Sequence, residues 1–261
     1  MRMPHLAEYG SRTPAPRQPL LVAEIAATPA DVLASQRLRF SVFAQEMGAR
    51  LASADQGIDH DRYDDFCHHL LVRDASTDEV VASTRILSSD DAPAAGGFYS
   101  QDEFALGRMN ELPGRVMEVG RTCVHADYRT GRAINALWTG LAGFMTAHRF
   151  DFMMGCASIP LPQNDPSVHA LLHQLYEKHL GPPEYRVVPR HPVPQLQWRT
   201  GTPAADPPPL LKAYLRLGAW VCGEACHDPD FGVADVFILL DVRRVPDRYR
   251  RHFLRGPVPF S

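Results

Sequence analysis

The 261-residue chain is 45% apolar and 22% charged, which excludes disorder, collagen and coiled coil as descriptions of the whole. Its 27 basic and 30 acidic residues give a net charge of −3, so there is no global attraction to nucleic acid or to an anionic membrane, and any such contact has to come from a local patch. Five cysteines, Cys67, Cys123, Cys156, Cys222 and Cys226, lack a repeated spacing and argue for a reducing cytoplasm over a secreted disulfide framework. The longest apolar stretches, such as 236–240, are about a quarter of the roughly 20 residues needed to span a bilayer.

Residues 1–18, with three arginines and three prolines, read as a flexible leader, and 19–261 as one domain. Leu20 to Ala26 is a short β-prone stretch. Thr28-Pro29 then supplies an N-cap and a first-turn proline for a helix over 29–47, whose Val32, Leu33, Phe40, Phe43 and Met47 form one apolar face. Phe66 to Arg73 and Val80 to Leu87 read as an antiparallel hairpin across the polar turn 75–78. Val116 to Val124 is a strand, followed by a turn through Gly131 and a helix over 133–148. A buried strand over 152–157, a helix over 168–179, a short helix over 210–217 and a strand over 233–242 complete the pattern. A second proline group, 182–209, marks a C-terminal extension from about 182. The order implies an α/β (α+β) architecture, a mixed central sheet with helices on both faces.

Two polar constellations stand out. Asp59-His60-Asp61-Arg62-Tyr63-Asp64-Asp65 puts four carboxylates just ahead of a strand, and reads as a solvated loop, a hard-cation site or a site for a cationic substrate group. The calcium-loop pattern is absent from it. In the second, Glu118 and Arg121 lie within the strand 116–124 and point to opposite faces, unless a bulge brings both to one cleft. Buried there, they form either a structural ion pair or a catalytic pair. Arg85, inside an apolar strand, is expected to pair with the acidic loop. Arg129 and Arg132 flank Gly131 at a helix N-terminus, where a phosphate is favoured. His169 and His173 share a helix face but lack a third zinc ligand, and Cys222, Cys226 and His227 read as buried thiols and a surface histidine rather than a metal knuckle. Arg243, Arg244, Arg248, Arg250, Arg251 and Arg255 form a basic cluster that is either a solvated face or a docking surface.

Arg39-Phe40-Ser41-Val42-Phe43, the Asp59–Asp64 run, Ser83-Thr84-Arg85-Ile86-Leu87 and Glu118-Val119-Gly120-Arg121 resemble the ordered motifs of the acyl-homoserine lactone (autoinducer) synthases, although Ala49 stands where that family has tryptophan. The chain resembles more closely the L-ornithine N-alpha-acyltransferases. The matching blocks are Gly120-Arg121-Thr122-Cys123-Val124, Tyr128-Arg129, Leu137-Trp138, Gly155-Cys156-Ala157-Ser158, 209–219 and Asp228-Pro229-Asp230-Phe231-Gly232. The segment 159–164 departs from that family's shorter turn.

The resemblance implies a GNAT acyltransferase fold and transfer of a 3-hydroxyacyl group from acyl carrier protein (ACP) to the α-amine of L-ornithine, giving lyso-ornithine lipid. No metal, nucleotide or other cofactor is expected; the phosphopantetheine thioester is a co-substrate. Glu118 is the expected base, Arg121 its partner or that of the acceptor carboxylate, and Tyr176 the acid for the leaving thiolate. Arg39, Phe43, Asp61, Asp64 and Arg85 are expected on the acceptor side. Thr122, Cys123 and Val124 are expected along the phosphopantetheine arm, with Arg129, Arg132 and the C-terminal arginines facing acidic ACP. An amphiphilic product suggests a cytoplasmic enzyme that visits the inner membrane face. The alternatives are an autoinducer synthase, another amino-acid N-acyltransferase, or a non-catalytic lipid- or ACP-binding module.

Overall fold

The computed structural model describes residues 20–162, 165–194 and 201–247. The leader, Gln163-Asn164 and the cluster arginines from Arg248 onward lie outside the described residues.

Strand β1 (Leu21–Ile25) leads into α1 (Pro29–Phe40), started by a reciprocal cap. The Asp31 N–H donates to Thr28 Oγ1 at 3.2 Å and the Thr28 N–H to Asp31 Oδ2 at 3.0 Å. The helix predicted to run to 47 instead changes pitch after Phe40 and continues as a π-helical turn, Ser41–Glu46. Wide turns of this kind cluster at functional sites, and this one carries Phe43 into the cleft described below.

Strands β2 (His68–Asp74) and β3 (Glu79–Ser88) form the expected antiparallel hairpin. A helical turn α2 (Ser100–Glu103) and a short β4 (Phe104–Ala105) follow, then β5 (Val116–Val124), α3 (Arg132–Ala147), β6 (Phe152–Pro160) and α4 (Pro166–His179). The remainder is β7 (Val188–Pro189), α5 (Pro209–Arg216), β8 (Trp220–Val221), β9 (Cys226–Asp228) and β10 (Val233–Asp241). The elements α2, β4, β7, β8 and β9 have no counterpart in the sequence reading, because two to four residues are too few to show a period.

The main sheet has eight strands in the order β1-β2-β3-β5-β6-β10-β8, with β9 also on β10, and β4 pairs β7 separately. β5 and β6 run parallel, and the other pairings are antiparallel. Alternation along the strands assigns the faces. Met117, Val119, Met153, Ala157, Ile159, Val236 and Ile238 join a core with Leu137, Leu141, Phe144, Leu171 and Leu211 of α3, α4 and α5. Val116, Phe152, Met154, Phe237 and Leu239 face the other way, toward Phe104, Leu106 and Met109. Burying each such side chain is worth about 1.5–3 kcal/mol. The stretch beyond 182 is no appendage, since β10 lies inside the sheet. Among the described residues no helix is long and apolar enough to cross a membrane.

Candidate active site

The site begins where β5 and β6 part. Their parallel pairing covers only Val116 to Glu118 against Phe152 to Met154. On its other edge β5 meets β3 with a register shift: Ser83 faces Cys123 and Arg85 faces Gly120, leaving Arg121 and Thr122 opposite the single residue Thr84. This is a β-bulge, and Arg121 adopts φ +51° to make it. Thr84 Oγ1 donates to the Gly120 carbonyl at 3.2 Å and lies 2.7 Å from Thr122 Oγ1. Beyond Glu118, the edge of β5 toward β6 has no strand partner, so its backbone groups stand open to a cleft of about 490 Å³.

Gly155 sits at the fork. A Cβ there would stand 2.2 Å from the Val119 carbonyl oxygen. Gly155→Ala must therefore push the strands apart; the expected cost is about 1–3 kcal/mol, with an activity loss larger than its fall in Tm accounts for. Thermal melts paired with turnover check this, and an alanine variant of wild-type stability and rate would show that the approach is not required.

The bulge brings Glu118 and Arg121 to one cleft, but not to each other. Both Glu118 oxygens hold the start of α2: Oε2 accepts from the Tyr99 N–H at 2.6 Å and Oε1 from the Ser100 N–H at 2.7 Å and from the Ser100 hydroxyl. Burial pushes the Glu118 carboxyl above its ordinary pKa, against these hydrogen bonds. Arg121 turns to the acidic loop instead. Its Nε lies 3.3 Å from Asp59 Oδ2 and its Nη2 3.5 Å from Asp61 Oδ2, with its guanidinium over the Tyr99 and Phe231 rings.

Three of the four carboxylates of the acidic loop are neutralised, and the fourth, Asp65, is exposed. Arg39, fully buried, donates to Asp59 Oδ2 at 2.8 Å and Asp64 Oδ1 at 2.7 Å, and Arg85 to Asp61 Oδ1 at 2.5 Å and Asp64 Oδ2 at 3.2 Å. Three carboxylates thus face three guanidiniums, Arg39, Arg85 and Arg121. The Arg39 and Arg85 charges hold the Asp64 carboxyl well below the usual range despite its burial. Arg85 and Phe43 line the cleft, whereas Arg39, Asp61 and Asp64 do not. These three were expected to bind the acceptor; half-buried Asp61 and buried Asp64 instead hold Arg85 and Arg121 in ion pairs, and buried Arg39 pairs with Asp64. The expected Arg85 partnership with the loop is observed.

Tyr176 is a second correction. It does not line the cleft, and its hydroxyl accepts the Ala225 N–H at 2.8 Å while burial pushes its pKa up to about 12. It ties α4 to the β8–β9 loop, and is not placed to protonate a leaving group. Thr122, Cys123, Val124 and Arg129 do line the cleft, and Arg129 is also paired with Glu46 at 2.7 Å. Arg132 faces a neighbouring groove with Arg37 and His125. From the C-terminal cluster, Arg243 pairs with Asp241 at 2.8 Å and Arg244 stacks on Trp220 at 3.8 Å. Burial pushes the Cys67 and Cys123 thiols up to about 12 and Cys156 well above its usual value, which disfavours a thiolate nucleophile in the cleft.

The sequence reading missed a further group in the cleft: Glu103 at the end of α2, Asp228 of β9 and Asp235 of β10, with one oxygen from each within 4.8 Å of the others. Asp235, a lone carboxylate in the apolar run 233–240, was a detectable signal; Glu103, beside Asp102 in an ordinary polar turn, was not. Burial, reinforced by the Asp235 charge, pushes Glu103 up to about 8, and burial with the Asp228 charge pushes Asp235 up to about 6. Between its unfolded value of 4.5 and about 8, the folded chain keeps a proton on Glu103 that the unfolded chain has released, so rising pH lowers stability through that window. Melting curves from pH 5 to pH 9 are expected to fall more steeply for wild type than for Glu103→Gln; parallel curves would remove this assignment.

The acetyltransferase (GNAT) domain family matches residues 38–139. An L-ornithine N(alpha)-acyltransferase of Agrobacterium fabrum is 37% identical over 252 residues, covering 89% of this chain and 85% of that protein. One of Brucella abortus is 34% identical over 252 residues, covering 89% and 88%. Among solved structures, a CoA-dependent acyl-homoserine lactone synthase, BjaI, shares the fold with a TM-score of 0.51 at 14% identity, covering 92% of each chain. FeeM, an N-acyl amino acid synthase from uncultured soil microbes, does so with a TM-score of 0.50 at 12% identity, covering 86% and 92%.

Proposed function

The chain belongs to the L-ornithine N(alpha)-acyltransferase family, and on that premise we propose that it transfers a 3-hydroxyacyl group from the phosphopantetheine thioester of ACP to the α-amine of L-ornithine. The observation that carries this reading is the fork of β5 and β6, where an unpaired strand edge with a bulge lines a cleft of about 490 Å³.

In this reaction the unprotonated α-nitrogen attacks the thioester carbonyl carbon, and backbone N–H groups of Thr122 to Val124 polarise the carbonyl oxygen. The nitrogen's proton passes to Glu118, directly or through a water, and the burial that raises this carboxyl's pKa makes it a stronger base for that step. The C–S bond breaks, the C–N bond forms, and the thiolate leaves. A thiol of pKa about 8.5 needs little assistance, so the position of Tyr176 outside the cleft costs the reaction little. With a thiolate disfavoured at the cleft cysteines, transfer is direct, and initial-rate kinetics are expected to be sequential rather than ping-pong.

Arg129 and Arg132, at the cleft mouth and the adjoining groove, are the proposed contacts for acidic ACP. The amphiphilic product gives the protein reason to meet the inner membrane face. The test is mass spectrometry of products from 3-hydroxyacyl-ACP offered with ornithine, lysine, glutamine, glycine and S-adenosylmethionine together. N-acyl-ornithine is the expected product; an acyl-homoserine lactone or another acylated amino acid would keep the chemistry and overturn the acceptor.

A further inference from the structure

We propose that Glu103, Asp228 and Asp235 form the receptor for the side-chain ammonium of the acceptor, a primary alkylammonium that the enzyme holds but does not acylate. This rests on the reading that the acceptor is a diamino acid.

The first argument is charge. Asp59, Asp61 and Asp64 of the acidic loop each have a guanidinium, whereas no lysine or arginine ion-pairs with Glu103, Asp228 or Asp235 among the described residues. The nearby cation, Arg121, is committed to Asp59 and Asp61. The chain thus supplies no ion-pairing cation to this group; burial keeps Glu103 protonated up to about pH 8 with no cation beside it, and a cation from outside lets it ionise.

The second is an orphaned atom. Glu103 is only 9% exposed, it lines the cleft, and its Oε2 has no hydrogen-bond partner. Buried carboxylate oxygens are left unpaired at a cost, and a ligand donor at this position removes it.

The third is the number of oxygens. Asp235 Oδ1 already accepts from the Ser158 hydroxyl at 2.6 Å, and Asp228 Oδ1 from the N–H groups of Asp230 at 2.8 Å and Phe231 at 3.1 Å. A hard divalent cation would need six or more oxygens and so several waters here, since fewer are left free in this group. An ammonium carries three N–H donors, and with N···O distances of about 2.9 Å it can reach three oxygens set within 4.8 Å of one another.

The site also accounts for which amine reacts. Carboxylates around an ammonium favour its charged form, and a protonated amine has no lone pair with which to attack. The amine held by the trio is thus the spectator, leaving the α-amine for the thioester at the β5 bulge. Selection of a diamino acid and acylation at the α-position follow from the same three side chains.

The experiment compares ornithine with norvaline, which has the same carbon chain without the side-chain amine. Turnover with 3-hydroxyacyl-ACP is measured for wild type, Glu103→Gln and Asp235→Asn, each checked by thermal melt. Wild type is expected to prefer ornithine in kcat/KM by about 100-fold or more, the rejection typical of a site built to bond a missing polar group. In both variants the preference should fall by at least about 10-fold, through a raised KM for ornithine, while the KM for acyl-ACP stays put. Should one variant fail to fold, the other carries the comparison, and ornithine but not norvaline should raise the Tm of wild type. An unchanged ornithine to norvaline ratio in a folded variant would overturn the receptor while leaving the acyltransferase reading intact. Equal kcat losses on both acceptors would overturn it in favour of a catalytic role. Activity abolished by EDTA and restored by Ca²⁺ or Mg²⁺ would assign the trio to a metal. If wild type acylates only neutral amino acids, the acceptor reading and the receptor fall together.

Discussion

Replacing Arg39 with methionine is expected to cost about 3–5 kcal/mol of folding stability, a fall in Tm on the order of 10 °C, although Arg39 does not line the cleft. Its guanidinium is fully buried and satisfies Asp59 and Asp64, both nearly inaccessible to water. Methionine fills similar volume but leaves two buried carboxylates short of their partner, and the penalty comes from those stranded charges. The pH dependence identifies the cause. Asp64 is held below its unfolded value of 3.8, so the stability it contributes is present above that pH and is lost as pH falls through the depressed folded value. In the variant that contribution shrinks, and the gap in Tm between wild type and variant should narrow on acidification below about pH 4. A melt within about 1 kcal/mol of wild type at pH 7 would show that the network is dispensable.

The second large effect concerns Glu118. Glu118→Gln is expected to lower kcat by about 10²- to 10⁴-fold with a KM for acyl-ACP within a few-fold of wild type. The substitution also touches the loop, because Tyr99 and Ser100 each aim an N–H at one of its oxygens and an amide offers only one acceptor. The pH–rate profile separates the two consequences. If Glu118 is the base, its ascending limb disappears in the variant; if Glu118 only positions the loop, the limb survives with lower amplitude. A kcat within about 10-fold of wild type would remove the assignment altogether.

Much of the fold was legible in the chain itself. The strand over 116–124, the helices near 132–147 and 166–179 and the strand at 233–241 each carry a period long enough to read, and the Thr28-Pro29 start is local hydrogen-bond chemistry. That Glu118, Arg121 and Arg85 needed a reason to sit in otherwise apolar strands was legible as well, whereas their meeting on one cleft required the bulge and Phe43's place there came only from the resemblance. The small strands and the π-helical turn after Phe40 were not, being too short to leave a pattern.

Pairings across the chain belong to tertiary structure alone. Sequence could set four carboxylates between Asp59 and Asp65 and anticipate Arg85 as a partner, but only the fold decides that Arg39 and Arg121 also reach the loop and that Asp59, Asp61 and Asp64 are the three paired. Likewise Glu103, Asp228 and Asp235 are separated by up to 132 positions, from 103 to 235, and converge only because β10 enters the sheet beside β6 and the turn at α2 is tied down by Glu118. Local composition determines which segments become strands and helices, since that choice depends on neighbours within a few residues. Whether a given carboxylate is neutralised or left waiting for a cation depends on which distant side chains reach it, and that is a property of the assembled sheet.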